Sequence, residues 1–92
     1  MADGSPLGPH RRVLRLLQSE YQLLLELAVA PVRSDDCTPS VLEAAEFLVS
    51  LGLAMRRDRL VHISERGQTL VANGPVSQTA YTVAFDACWD GW

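Results

Sequence analysis

From Thr38 to Gly74 the chain carries a start or stop signal at nearly every junction, and that punctuation limits the folds open to it. Thr38 with Pro39, or Ser40 with Glu43 as a capping box, opens a helix in which Val41, Leu42, Ala45, Leu48, Val49 and Leu51 recur at helical spacing. Gly52 closes it, because glycine adopts without strain the left-handed conformation on which helices commonly end. Leu53 to Ile63 reads as a short hairpin that turns near Arg57 and Asp58 and directs Val61 and Ile63 inward. Ser64 caps a further helix containing Leu70 and Val71, and Asn73-Gly74-Pro75 terminates it.

Upstream, Leu14, Leu17, Tyr21, Leu24 and Ala28 recur at steps of three and four, with a second row at Val13, Leu16, Leu23 and Leu27. This predicts one long helix over 10–30 with a wide apolar face, ended by Pro31. Ser19 and Gln22 also fit a capping box, which leaves open a break near Gln18 into two helices. The polar stretch from Val32 to Thr38 reads as a loop. Near the other end, Tyr81, Val83 and Phe85 alternate with Thr82, Ala84 and Asp86, the period of a half-buried strand that would pair with the hairpin edge or with another chain. Met1 to Pro9, with its glycines and prolines, reads as a flexible leader. The expected organisation is a leader over 1–9, a domain over 10–74, and a strand with an aromatic tail over 75–92.

The succession of a helix ending in Leu51-Gly52-Leu53, an arginine-tipped hairpin, and Ile63-Ser64-Glu65-Arg66-Gly67 opening another helix resembles the winged-helix regulators. Within that superfamily it is most similar to the multiple-antibiotic-resistance and phenolic-acid-repressor types, and the segment from Ser19 to Ala28 looks like their first core helix. The resemblance spans about residues 19–73. It implies an α+β fold, mainly helical, in which a small winged helix carries a two- or three-stranded antiparallel sheet. Two departures accompany it. Only Pro31 to Thr38 stands where the family has a short helix and a turn, so the helix-turn-helix is truncated. The helix in the recognition position, Ser40 to Leu51, offers Ser40, Glu43, Glu46 and Ser50 outward, without the Arg, Lys, Asn or Gln that read base edges.

Ninety-two residues, 48% of them hydrophobic, make one domain with a modest core. The net charge of −3 supplies no global field toward nucleic acid or an anionic membrane, so any basic surface must be local. All eight basic residues are arginine. Cys37 and Cys88 lie far apart and outside any metal-spaced pattern, and read as two reduced thiols. No secretory leader or membrane-length apolar run is present in the sequence, which predicts a cytoplasmic protein without a membrane partner. His10 and His62 have no nucleophile or metal partner at diagnostic spacing, and no glycine-rich phosphate loop follows a strand. The expectation is a non-enzymatic protein with no cofactor and no metal.

Binding chemistry concentrates in three places. Arg56, Arg57 and Arg59 at the hairpin tip suit phosphates or a narrow minor groove, and Arg11, Arg12 and Arg15 form a second basic group at the start of the first expected helix. Tyr81, Phe85, Trp89 and Trp92 crowd the last twelve positions, an aromatic and acidic composition suited to a protein partner. Two functions are expected from these groups. The first is a DNA-binding transcriptional regulator, with Leu14, Leu17, Tyr21 and Leu24 as the seam of a homodimer. The second is a protein-interaction module, such as a phage or mobile-element inhibitor or adaptor, that uses Glu43, Glu46 and the tryptophan-bearing tail.

Overall fold

The computed structural model describes residues 13–86. In chain order these form β1 (Val13–Leu17), α1 (Gln18–Val29), β2 (Val32–Arg33), a 3₁₀ turn (Ser34–Asp36) and α2 (Pro39–Ser50). They continue through β3 (Ala54–Arg57), β4 (Leu60–Ile63), α3 (Glu65–Asn73), β5 (Ser77–Gln78) and β6 (Thr82–Asp86). The described residues therefore make a small α+β fold of three α-helices and two three-stranded antiparallel sheets, ordered β1-β6-β5 and β2-β4-β3.

The sequence departs first from expectation at Val13–Leu17. The expected helix over 10–30 begins at Gln18, and the residues before it form an edge strand whose Leu14 opposes Phe85 and whose Leu16 opposes Val83. Leu14 and Leu16 face the core while Val13, Arg15 and Leu17 are exposed, a period of two hidden inside a leucine-rich run. Leu17 caps the helix, its N–H donating to Glu20 Oε1 at 2.8 Å, so the boundary falls near Gln18 but separates a strand from a helix. Gln18 fastens this junction to the far end of the chain. Its N–H donates to the Tyr81 carbonyl at 2.8 Å, and its amide Nε2 donates to the Thr79 carbonyl at 3.0 Å.

The helix stops are those read from the sequence. Thr38 Oγ1 accepts from the Val41 N–H with Pro39 in the first turn, and Gly52, at φ +78°, ends α2 as Leu53 N–H returns to the Leu48 carbonyl. The expected loop over 32–38 contains β2, which adds Val32 and Arg33 to the hairpin opposite Val61 and Leu60, and the 3₁₀ turn. Ser34 anchors that turn, both its N–H and its hydroxyl donating to the Arg59 carbonyl.

One core joins all of these elements. Leu16, Leu24, Leu48, Leu53, Val61, Leu70, Val83 and Phe85 are almost wholly buried in a single cluster. The C-terminal strand is thus integral to the fold, and it pairs with β1 and β5 rather than with the hairpin. No helix among the described residues is long and apolar enough to cross a membrane.

Candidate functional site

The hairpin β3–β4 is closed by Asp58-Arg59, and Asp58 takes φ +57°, a left-handed conformation that aspartate tolerates better than most side chains. Strand alternation then sorts the side chains. Ala54 and Arg56, with Ile63 and Val61 opposite them, lie on the helix side, where Ala54 and Val61 are buried. Met55 and Arg57 lie on the other side with His62 and Leu60, and β2 adds Arg33 beside Leu60.

Arg56, Arg57 and Arg59 are all exposed, but their electrostatic situations differ. The Arg56 guanidinium is 2.5 Å from Glu46 Oε2 on α2, and Arg59 is 3.3 Å from Asp35 Oδ2 in the 3₁₀ turn. Each pair is open to solvent and contributes little to stability, yet it leaves the guanidinium facing a carboxylate. Arg57 makes no such pair among the described residues.

Arg15 is an exposed residue of β1, on the other sheet, so it belongs to a strand and not to the first turn of a helix. Arg11, Arg12, Trp89 and Trp92 lie outside the described residues. Glu43 and Glu46 are exposed on α2, as is Phe47 beside them, and Ser50 Oγ donates to the Phe47 carbonyl. Tyr81 is 78% exposed, whereas Phe85 is fully buried and meets Tyr21 edge to face with ring centroids 5.3 Å apart. Phe85 is consequently a core residue and not a partner contact.

The expected dimer seam is corrected for the same reason. Leu24 is fully buried within the chain, Leu14 and Tyr21 pack against the core, and Leu17 alone of the four is largely exposed. Leu14 and Leu17 also belong to a strand, on opposite faces of it, so the four residues form no helical stripe.

Cys37 is a free, half-buried thiol that donates to the Arg33 carbonyl at 3.3 Å, and Cys88 lies outside the described residues. Sequence reading missed Arg33 and Phe47. A two-residue strand has no period to detect, and Phe47 fell within an apolar run that gave no sign of its exposure. Comparison of the chain with protein-family models, with curated proteins and with solved structures found no match.

Proposed function

We propose that this chain is a non-enzymatic regulator of winged-helix type that binds duplex DNA through its arginine hairpin. The element order α1, β2, 3₁₀ turn, α2, β3, β4, with β4 central between β2 and β3, supports that reading. In it the 3₁₀ turn stands where the winged-helix pattern has a short helix. The observation that carries the reading is the hairpin itself, which presents three exposed guanidinium groups within four residues about a two-residue turn. With Glu43 and Glu46 on α2, the contact is to backbone phosphates rather than to base edges.

The test is a titration of a random-sequence duplex at about 50 mM salt and again at about 200 mM, where backbone binding weakens steeply. Wild type should bind at the lower salt, and the triple variant Arg56→Ala, Arg57→Ala, Arg59→Ala should bind more weakly and with a shallower salt dependence. No binding by wild type at the lower salt would overturn the reading.

A second reading, a protein-interaction module, is favoured by one observation. Two of the three hairpin guanidiniums are already held by Glu46 and Asp35, while Phe47, an apolar ring 39% exposed, lies on the acidic side of α2. Under this reading Phe47→Ala, or removal of 89–92, abolishes partner capture and leaves the circular dichroism spectrum unchanged. A spectrum lost on removing 89–92 would place those tryptophans in the core instead.

A further inference from the structure

The three-stranded sheet β2-β4-β3 has two electrostatically unlike sides. On the helix side Arg56 is held by Glu46 of α2, and at the turn Arg59 is held by Asp35. On the side away from the core, the register sets Arg33, Leu60 and Arg57 in one row across all three strands, and His62 and Met55 in the next. Arg33 and Arg57 are exposed, Met55 is 47% exposed, and Leu60 and His62 are half-buried. Asp36 Oδ2 is 4.0 Å from the Arg33 Nε with both side chains mostly in solvent, and Asp58 lies in the turn.

From this partition we infer that the outer face of the sheet, rather than the hairpin tip, is the phosphate-binding surface, with Arg33 and Arg57 as its two anchors. The inference deepens the DNA-binding reading and rests on it. Its occupant is the sugar-phosphate backbone of duplex DNA. Two strand spacings separate the arginines, about 10 Å, and each long guanidinium arm can reach a different phosphate along the backbone. Leu60 and Met55 lie between and beside the two charges, an apolar floor suited to deoxyribose. Docking by this face also keeps Glu43 and Glu46 on the far side of the sheet, where they repel the duplex least. Arg56 and Arg59 need not give up their carboxylates for it.

The experiment compares the salt dependence of duplex binding for wild type, Arg33→Ala with Arg57→Ala, and Arg56→Ala with Arg59→Ala. Circular dichroism and thermal midpoints confirm that each variant folds, which is expected because all four side chains are exposed. The slope of log K against log salt should fall by about 2 in the Arg33/Arg57 variant, one unit for each lost phosphate contact. It should change by less than about half that in the Arg56/Arg59 variant. Arg33→Ala alone should lower the slope by about 1. A loss confined to the Arg56/Arg59 variant, or equal in both double variants, would overturn the face assignment and leave the DNA-binding reading standing. Wild type that binds no duplex at about 50 mM salt would overturn both.

Discussion

A Cβ added to Gly67 would fall 2.2 Å from the Leu53 carbonyl oxygen and 2.8 Å from Ile63 Cγ1. The first turn of α3 therefore rests directly on the backbone that leaves α2. Ser64 completes the junction. Its N–H donates to that same Leu53 carbonyl at 3.0 Å, its hydroxyl donates to the Gly52 carbonyl at 2.5 Å, and the hydroxyl oxygen accepts from the Gly67 N–H at 3.0 Å. Gly52, Leu53, Ser64 and Gly67 are thus one packed unit.

Gly67→Ala sets two effects against each other. Alanine gains about 1 kcal/mol over glycine inside a helix, but the methyl group meets a backbone carbonyl, which cannot turn aside as a side chain can. The clash should win and destabilise the protein by about 2 kcal/mol or more. In a domain of this size that lowers the thermal midpoint by about 10 °C, readable by circular dichroism. An unchanged midpoint would mean that α3 does not sit this close.

Ser64 separates capping from bridging. Ser64→Ala loses both hydroxyl bonds and should cost about 1–2 kcal/mol in urea unfolding. Aspartate is as good an N-cap as serine in general, yet ionised it has no proton to give the Gly52 carbonyl and would set a negative charge against it. Ser64→Asp should therefore be no more stable than Ser64→Ala. Recovery of wild-type stability in Ser64→Asp would reduce the residue to a simple cap.

The helix from Pro39 to Ser50, the hairpin and the third helix were legible because their ends are marked by Thr38, Gly52, Ser64 and Gly74, residues whose local chemistry settles the backbone without distant partners. Val13–Leu17 was not legible. Its leucines suit a helix, and what makes it a strand is pairing with Thr82–Asp86 from the other end of the chain. The arginines of the hairpin could be located from sequence, but their pairing with Glu46 and Asp35 depends on how α2 and the 3₁₀ turn pack beside the sheet. The row joining Arg33 to Arg57 depends on a two-residue strand inside a polar stretch.

Phe85 and Tyr21 tie the C-terminal strand to the first helix, and their removal should show it. Phe85 is fully buried, so Phe85→Ala is expected to cost about 3–5 kcal/mol through lost transfer energy and a cavity. Tyr21→Ala should cost less, because Tyr21 is only half-buried. A double-mutant cycle should return a coupling of about 0.5–1.5 kcal/mol for the edge-to-face pair. If Phe85→Ala left stability untouched, the ring would be a surface group and β6 an appendage.

Glu46 offers a test in which stability and function move apart. Its pair with Arg56 is 2.5 Å long, but the two side chains are 59% and 44% exposed, so Glu46→Gln should change unfolding free energy by less than about 1 kcal/mol. Its effect on a nearby phosphate is a different matter. Two like unit charges at a separation of about 10 Å in water repel by about 0.4 kcal/mol, a factor of about two, and salt screening lowers this further, so it is an upper bound on what Glu46→Gln relieves. The substitution also releases Arg56. Duplex binding at about 50 mM salt should therefore strengthen by no more than about twofold, and the gain should shrink as salt rises. An affinity that fell, or a gain that persisted undiminished at high salt, would show that Glu46 meets the ligand by hydrogen bonding, and would move the interface from the sheet to the acidic side of α2.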